Sequence, residues 1–420
     1  MIRRYLENRI TESLKHFPAV LLTGARQVGK STLAQSLIGS AWPAEYFSLD
    51  DRLTLDAALR DPDGFVSGLP VPSVIDEIQR APDLLRALKR AIDRNRRPGQ
   101  YLLTGSANIL SLPSVSESLA GRVALQTLYP FSWPEMEGVA VPGIINDLFE
   151  VKTAPELMKR LPKKPARDLR PRIIEQIITG GYPPVVFMDS HRARHEWHAA
   201  YRQTYLERDI RNLRAIENIP DFNRLLTLAA LRTGKLLNLS ELSRETGLPF
   251  STLRRYMNLL EVTYQIFLIR PYFTHAGKQI VKTPKLYFND TGTAAHLSGL
   301  DTWESIERSA ALGPMVETWV ASELSKLLPL LDPRFKLYFW RTQGGREVDF
   351  LVERGDQLVA IEVKWAAGLK KDNFRGLAAC AEILKERLRF SVLLHSGRES
   401  VPFSERGVAL PLPVFFGMTR

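Results

Sequence analysis

A short glycine-rich pattern near the N-terminus constrains the fold of this chain more than any other feature. Residues 24–31 read GARQVGKS, a G-x-x-x-x-G-K-S pattern that follows an apolar, strand-like run and precedes a helical pattern. In that context the backbone N–H groups of the turn point toward a phosphate group at the N-terminus of the helix. Lys30 would reach the β- and γ-phosphates, and the Ser31 hydroxyl would ligate Mg²⁺. The pattern therefore predicts a P-loop α/β domain with ATP and Mg²⁺ as cofactors.

Two later strand patterns supply the chemistry that such a nucleotide site needs. The run VPSVIDEIQ ends in Asp76, which would hold Mg²⁺ through water, and Glu77, which would polarise the attacking water. The run QYLLTGSAN places Ser106 where it would sense the γ-phosphate or position water. Order and spacing match ATPases that insert a strand between the two Walker strands, with ligands at the carboxyl ends of the strands. The predicted nucleotide-binding residues are Gly24, Ala25, Arg26, Gln27, Val28, Gly29, Lys30, Ser31, Thr32 and Asp76.

The charge balance indicates a polyanionic partner. The chain has 57 Lys and Arg against 46 Asp and Glu, a formal net charge of +11, and DNA is the predicted partner of such a surface. A single cysteine, Cys380, and seven scattered histidines predict neither a disulfide framework nor a Cys/His zinc site. No apolar run approaches the roughly 20 residues that span a bilayer, and Glu7 and Glu12 interrupt the N-terminal segment. We therefore expect a cytoplasmic protein without a membrane span.

A helix-turn-helix pattern occupies the middle of the chain. Residues 237–273 contain two helical patterns separated by Gly247 and then a β-rich run, and a basic turn follows at 274–282; together they predict a winged helix. Ser251, Arg254 and Arg255 face outward on the second helix, and Lys278 lies in the basic turn, so these four are the predicted nucleic-acid contacts. Docking of another protein is the alternative use of such a module.

A hairpin pattern near the C-terminus carries charges in strands that otherwise look buried. In REVDFLVERGDQLVAIEVKW, residues 346–365, a two-residue turn at 355–356 predicts that Arg354 faces Gln357. The same register places Asp349 opposite Glu362, and residue 347 opposite residue 364. Directly opposed carboxylates are destabilising, so either a divalent cation offsets the repulsion or this face is exposed and solvated.

Several phrases of the first third resemble one group of ATPases. The Walker residues together with LLTGSAN, LAGR and YPFSWPEM look like the bacterial and archaeal AAA-type ATPases, of the AAA+ superfamily, that carry a C-terminal domain of unknown function. The phrases GGYP, TYLERDI and KLYFNDTG extend the resemblance along the chain. It implies that Arg122 contacts the γ-phosphate, either in its own chain or as an arginine finger on a neighbour. The second case requires a homo-oligomer.

The C-terminal order of a helix, three strands and a helix resembles the restriction-endonuclease-like fold. Asp349, Glu362 and Lys364 match the acidic, acidic, lysine signature of that fold, and Glu317 matches the additional helix glutamate of its Holliday-junction-resolving and related branches. The resemblance implies Glu317, Asp349 and Glu362 as metal ligands. It also implies that Lys364 orients or activates a water molecule. Binding without cleavage is the alternative, because many members with this signature have no demonstrated cleavage.

These patterns predict four regions and one function. The regions are a P-loop ATPase domain at 1–135, a linker and helical lid region at 136–220, a winged helix at 221–283 and a restriction-endonuclease-like α/β domain at 284–420. The predicted function is Mg-ATP hydrolysis that drives or gates engagement of duplex or branched DNA, with nuclease activity as a further step. The alternative is a nucleotide-dependent regulatory switch whose C-terminal domains bind nucleic acid or protein without cleavage. The predicted catalytic residues are Glu77, Ser106, Arg122 and Lys364, and the predicted metal ligands are Ser31, Asp76, Glu317, Asp349 and Glu362.

Overall fold

The chain forms two compact units. A computed structural model describes residues 2–106, 121–162, 168–206, 218–273, 283–342 and 344–418. The first unit comprises Met1–Phe131, Tyr182–Pro184 and Leu259–Gln265. The second unit comprises Ser132–Gly181, Val185–Asn258 and Ile266–Arg420. Most of the three regions predicted after residue 135 therefore lies in one unit.

The first unit is built on a five-stranded parallel sheet, whose strands lie in the order Glu45–Ser48 (β2), Ser73–Asp76 (β3), Tyr101–Thr104 (β4), Ala19–Thr23 (β1) and Val123–Thr127 (β5). The predicted α/β fold, with a parallel sheet flanked by helices, is confirmed. Strand β4 lies between β1 and β3, so the inserted strand is where the sequence places it. In chain order the elements are α1 (Leu6–His16), β1 (Ala19–Thr23), α2 (Lys30–Ser36), β2 (Glu45–Ser48), α3 (Arg52–Arg60), α4 (Pro62–Gly68), β3 (Ser73–Asp76), α5 (Leu84–Arg94), β4 (Tyr101–Thr104) and β5 (Val123–Thr127).

The hydrophobic pattern explains how these layers pack. Strand β1 reads AVLLT, and all five residues are buried because helices cover both faces of a parallel sheet. Helix α5 buries Leu84, Leu88 and Ile92, which recur at the four-residue spacing of one helix face. This packing fixes the carboxyl ends of the strands, where the predicted nucleotide site lies.

The remaining helices and strands follow in chain order. They are α6 (Trp133–Met136), α7 (Ile144–Glu150), α8 (Ala154–Arg160), α9 (Arg170–Thr179), α10 (Pro183–Val186), α11 (His191–Tyr201), α12 (Ile219–Ala230), β6 (Lys235–Leu236), α13 (Leu239–Thr246), α14 (Phe250–Val262), β7 (Ile266–Pro271), β8 (Lys285–Phe288), α15 (Thr291–Ser298), α16 (Trp303–Arg308), α17 (Leu312–Leu331), β9 (Lys336–Arg341), β10 (Glu347–Arg354), β11 (Gln357–Lys364), α18 (Arg375–Leu384), β12 (Leu388–His395), β13 (Val401–Ser404), β14 (Gly407–Pro411) and α19 (Leu412–Phe415).

One sheet of nine strands runs through the second unit, with order β13-β14-β12-β11-β10-β9-β7-β8-β6. Strand β8 pairs with both β6 and β7 in antiparallel fashion, and β7 continues the sheet by pairing in parallel with β9. The boundary predicted between residues 283 and 284 therefore falls inside a continuous sheet, immediately before β8.

The predicted hairpin register is confirmed from the turn to Phe350 and Ile361. Arg354 pairs with Gln357, and the register continues to Phe350 and Ile361. Beyond that pair, Asp349 Oδ2 accepts a hydrogen bond of 2.8 Å from the backbone N–H of Val363. The pairing of β10 with β9 is irregular in the same region. The Asp349 carboxylate is therefore held by the backbone of the neighbouring strand.

A buried carboxylate joins two of the phrases that carry the family resemblance. Asp290 accepts hydrogen bonds from the N–H of Gly181 at 2.7 Å and from the N–H of Thr293 at 2.8 Å, the second of which caps α15. A Cβ atom at Gly180 would lie 2.4 Å from the Asp290 carboxylate, and Gly180 has φ +75°. The glycines of GGYP and the aspartate of NDTG are thus in direct contact.

Candidate functional site

The glycine-rich turn after β1 has the shape of a phosphate-binding loop. Gly24 has φ +144°, and a Cβ atom there would lie 2.1 Å from the backbone oxygen of Leu128, so only glycine fits. The Lys30 ammonium group, whose residue is 5% exposed, donates hydrogen bonds to the backbone oxygens of Gly24 at 3.1 Å and Ala25 at 2.8 Å. A cation therefore lies against the loop where the negative charge of a phosphate would be bound.

Hydroxyl groups surround the Asp76 carboxylate at the end of β3. Ser31 Oγ donates to both Asp76 oxygens at 3.0 Å, and the Tyr46 hydroxyl donates to Oδ2 at 2.8 Å. The Thr104 hydroxyl, at the end of β4, also bonds the carboxylate. Hydroxyl and carboxylate oxygens are the ligands that Mg²⁺ prefers, so Ser31 and Asp76 fit the predicted ion. Tyr46 and Thr104 were not predicted, although Thr104 lies in the quoted phrase LLTGSAN.

Glu77 is held in an unusual conformation beside this carboxylate. Its φ of +60° and ψ of +42° are left-handed, and its N–H donates to Thr104 Oγ1 at 3.1 Å. Burial raises the pKa of the Glu77 carboxyl, which makes the carboxylate a stronger base. Gln79 contacts the Glu77 carboxylate, and its amide donates to Ser106 Oγ at 3.0 Å. Gln79, which was not predicted, thus bridges the predicted base and the predicted sensor.

Arg122 lies at the amino-terminal ends of the strands, whereas the phosphate loop lies at their carboxyl ends. Arg122 precedes β5, and its backbone oxygen accepts a hydrogen bond from the N–H of Ala19 at the start of β1. The loop follows the other end of β1, and the two ends of this strand are about 13 Å apart. Its guanidinium group forms two hydrogen bonds, of 2.6 and 3.0 Å, with the carboxylate of Asp93. The predicted role in its own chain is therefore wrong in this structure, and the role on a neighbouring chain stays a prediction.

The predicted nucleic-acid contacts on α14 lie at the surface. Ser251, Arg254 and Arg255 are exposed, whereas the neighbouring Leu253 and Tyr256 are buried. Lys278 lies outside the described residues. The helix therefore presents two arginines to solvent, while its buried apolar side chains hold it against the rest of the protein.

The four residues of the predicted nuclease signature are brought together in the second unit. Asp349 and Glu362 are buried on β10 and β11, and Glu317 reaches them from α17. Lys364 Nζ donates to Glu362 Oε1 at 2.6 Å. Burial and the nearby Asp349 charge raise the pKa of Glu317 to about 7 and the pKa of Glu362 to about 8.

A lysine that was not predicted as a member of this cluster lies among the carboxylates. Lys285 Nζ, on β8, donates to Glu317 Oε1 at 2.7 Å, contacts Glu347 and lies 4.0 Å from Asp349 Oδ1. Burial alone would lower the pKa of Lys285, but these carboxylates raise it above its usual value. The Glu347 side chain, which the hairpin register places opposite Lys364, contacts Lys285, and Lys364 contacts Glu362.

The carboxylates of this cluster are not arranged around a metal position. Among the described residues, no group of three or more His, Cys, Asp or Glu side chains is placed to hold a metal ion. The implied ligands Glu317, Asp349 and Glu362 therefore do not fit a divalent cation as they stand, since an ammonium group already occupies the space beside Glu317.

Four of the seven histidines, which look scattered in the sequence, line one cavity of about 550 Å³ in the second unit. The ring of His296 lies 4.6 Å from that of His195 and 5.5 Å from that of His198, measured between ring centroids. His195 Nδ1 is 3.1 Å from Asp301 Oδ2. Burial lowers the pKa of His198, and burial with its histidine neighbours lowers the pKa of His296 to about 4. His191 is the fourth.

This histidine cluster predicts a loss of stability in acid. Because the folded-state pKa of His296 is about 4, below the usual value near 6.5, the unfolded chain binds more protons between these pH values. Stability is therefore lost as pH falls from about 6.5 to about 4, by on the order of 1 kcal/mol for this group. Asp301, His195, His198 and Arg202 face it. His296→Gln should reduce the loss, as measured by urea unfolding at pH 7.5 and pH 5.

The matched control for that experiment is an exposed histidine. His16→Gln, on the surface of α1, should keep the pH dependence of the unchanged protein. Equal acid sensitivity in His296→Gln and His16→Gln would contradict the prediction.

Within the described ranges, no helix is both long and apolar enough to cross a bilayer.

Comparison with protein families assigns three consecutive matches. An "AAA domain" model matches residues 16–137, a "Domain of unknown function (DUF8612)" model matches residues 170–304, and a "Domain of unknown function (DUF4143)" model matches residues 312–415. The first match covers the phosphate loop, Asp76, Glu77 and Ser106. The P-loop domain is therefore of AAA type.

Two mycobacterial proteins are similar over nearly the whole chain. They are the uncharacterized protein Rv2008c of Mycobacterium tuberculosis and the uncharacterized protein Mb2031c of Mycobacterium bovis. Each is 31% identical over 411 residues, which cover 97% of this chain and 83% of the relative. Among solved structures, the Walker-type ATPase PABY2304 of Pyrococcus abyssi is 16% identical, with a TM-score of 0.44 over 71% of this chain and 96% of that chain.

Proposed function

This chain belongs to the same family as Rv2008c and Mb2031c, and we propose that it binds and hydrolyses Mg-ATP and uses the nucleotide cycle to engage DNA. The observation that carries the first part is the convergence of loop, carboxylates and hydroxyls at the carboxyl ends of β1, β3 and β4. An AAA-type domain is shared by proteins with many partners, so the DNA part rests on the second unit.

Each residue of the nucleotide site has a separate task in this proposal. The loop N–H groups and the Lys30 ammonium bind and orient the β- and γ-phosphates. Ser31 and Asp76 would hold Mg²⁺, whose positive charge would offset the negative charge of the phosphates. Glu77 polarises the attacking water, and Gln79 keeps its carboxylate beside Ser106. Hydrolysis then depends on positioning and charge.

The order of elements around α14 supports a DNA-binding role. Helix α12, strand β6, helices α13 and α14, and strands β7 and β8 follow one another as in a winged helix, and β8 pairs between β6 and β7. Gly247, with φ +72°, ends α13 and permits the turn into α14. The exposed arginines of α14 and the net charge of +11 favour binding of a polyanion.

Charge reversal on α14 tests the DNA part. Arg254→Glu with Arg255→Glu should weaken DNA binding at least about 10-fold. The slope of log K against the logarithm of the salt concentration should also become about two units less negative, because two phosphate contacts are lost. Binding to a labelled duplex would be measured by anisotropy between 50 and 200 mM salt.

A double variant with the same change in net charge provides the control. Arg52→Glu with Arg60→Glu alters exposed residues of α3 and should leave the salt dependence unchanged. If both double variants lose affinity equally, the effect is one of net charge. If neither does, protein docking is the better function for α14.

For the acidic cluster, we favour binding without cleavage. Metal-dependent cleavage remains a second candidate, because Asp349, Glu362 and Lys364 match the nuclease signature and lie together, but the arrangement around Lys285 does not fit a divalent cation. Duplex, single-stranded and four-way DNA incubated with Mg²⁺ or Mn²⁺ separate the two. Cleavage that Asp349→Asn abolishes would establish the nuclease, and intact DNA during ATP turnover would establish the non-cleaving function.

A further inference from the structure

Lys285 is buried inside the acidic cluster. It is 3% exposed, and its strand β8 is fixed on both sides, since Lys285 pairs with Ile269 of β7 and with Leu236 of β6. The ammonium group therefore enters the cluster from a strand that is paired on both sides and lies next to the edge strand β6. It cannot leave without a change in side-chain conformation or in the sheet itself.

The ammonium group contacts carboxylates that come from different elements. It donates to Glu317 Oε1 of α17 at 2.7 Å and contacts Glu347 of β10, and Asp349 Oδ1 of the same strand lies at 4.0 Å. The Tyr287 hydroxyl, from the same strand as Lys285, donates to Glu317 Oε1 at 2.6 Å. One Glu317 oxygen thus accepts two hydrogen bonds from β8.

Electrostatics explains why a cation is needed here. Buried carboxylates at short range repel one another and are costly to remove from water unless a positive charge lies among them. Lys285 supplies that charge to Glu317, Glu347 and Asp349, and Lys364 supplies a second to Glu362. The cluster therefore receives its compensating charge from the protein.

A divalent cation and this ammonium group compete for the same oxygen. A Mg²⁺ ion would bind Glu317 Oε1 at about 2.0–2.1 Å. The ammonium group already lies 2.7 Å from that atom, and two cations at such separation repel strongly.

We propose that Lys285 is a built-in cation that takes the place of a divalent metal ion in this cluster and excludes the ion while it holds its position. The proposal rests on the cluster alone and not on ATP hydrolysis. Lys285 lies on β8, outside the elements that carry the signature residues, so the signature does not predict this role.

Binding of Mn²⁺, followed by electron paramagnetic resonance of the full chain, tests the proposal. Asp76→Asn is used as the background, because it removes the predicted ion site of the nucleotide domain. In that background the cluster with Lys285 should bind no Mn²⁺. Lys285→Met should create a site for roughly one ion per chain, and adding Asp349→Asn should remove it again.

Thermal unfolding gives a second readout that is sensitive to folding. Lys285→Met leaves the carboxylates without their cation and should lower Tm, and Mn²⁺ should then raise the Tm of this variant but not of the background protein. Lys336→Met, at an exposed position of β9, is the matched control and should show neither effect.

Two results would overturn the proposal. The first is an Mn²⁺ ion bound by the background protein and lost on Asp349→Asn, which needs no Lys285 variant and so holds even if Lys285→Met fails to fold. The second is a folded Lys285→Met that gains no ion. ATP turnover of Lys285→Met without the Asp76 change, assayed separately, should equal that of the unchanged protein, so failure here is distinct from failure of the ATPase proposal.

Discussion

Lys30→Ala is expected to abolish ATP turnover, with kcat at least about 100-fold below that of the unchanged protein. The ammonium group lies against the backbone oxygens of Gly24 and Ala25, at the position from which it would bind the β- and γ-phosphates. Alanine removes the positive charge that Lys30 would supply to these phosphates. Phosphate release would be measured with saturating Mg-ATP, and nucleotide affinity with a fluorescent ATP analogue.

The control for Lys30 is a lysine outside the nucleotide site. Lys15→Ala, on the exposed surface of α1, changes the net charge equally and should leave turnover unchanged. An unaltered rate in Lys30→Ala would show that residues 24–31 do not form the nucleotide site.

Glu77→Gln should separate nucleotide binding from hydrolysis. The amide has nearly the same shape but cannot act as a base, so kcat should fall at least about 100-fold while Mg-ATP affinity changes by less than about threefold. Glu77 is the proposed base, its pKa is raised by burial, and its carboxylate contacts Gln79. Single-turnover hydrolysis and analogue binding would be measured on the same preparation.

Two further variants sharpen the assignment of Glu77. Gln79→Ala should give an intermediate loss of kcat, because the base remains but is no longer held beside Ser106. Glu45→Gln, at an exposed position of β2, is the matched control. Turnover of Glu77→Gln within about threefold of the unchanged protein would exclude it as the base.

The nucleotide site was largely predictable because its motif is local. Eight consecutive residues define the loop, and the strand ends that carry Asp76 and Ser106 are each recognisable from a short apolar run. Tyr46 and Gln79 were missed because their contacts arise only when β2, β3 and β4 lie side by side. The role of Arg122 was predicted from the resemblance of the phrase LAGR, and such a resemblance does not show at which end of the strands the residue lies.

The acidic cluster shows the same division between local and distant information. The two-residue turn fixed the register of the hairpin, so Asp349 and Glu362 could be placed together from the sequence. Lys285 could not be placed, since it comes from a strand far earlier in the chain and joins the cluster through strand pairing. The histidine cavity was missed for the same reason, because its rings come from α11 and α15.

The continuous nine-stranded sheet limits how the second unit can be divided into fragments. A polypeptide that ends before β8 would leave β6 and β7 without the partner between them, and one that begins at β8 would carry that strand without either neighbour. Unpaired strand edges recruit other chains and aggregate. We therefore expect the winged-helix elements and the acidic cluster to fold together, and a fragment that contains only one of them to lose its structure.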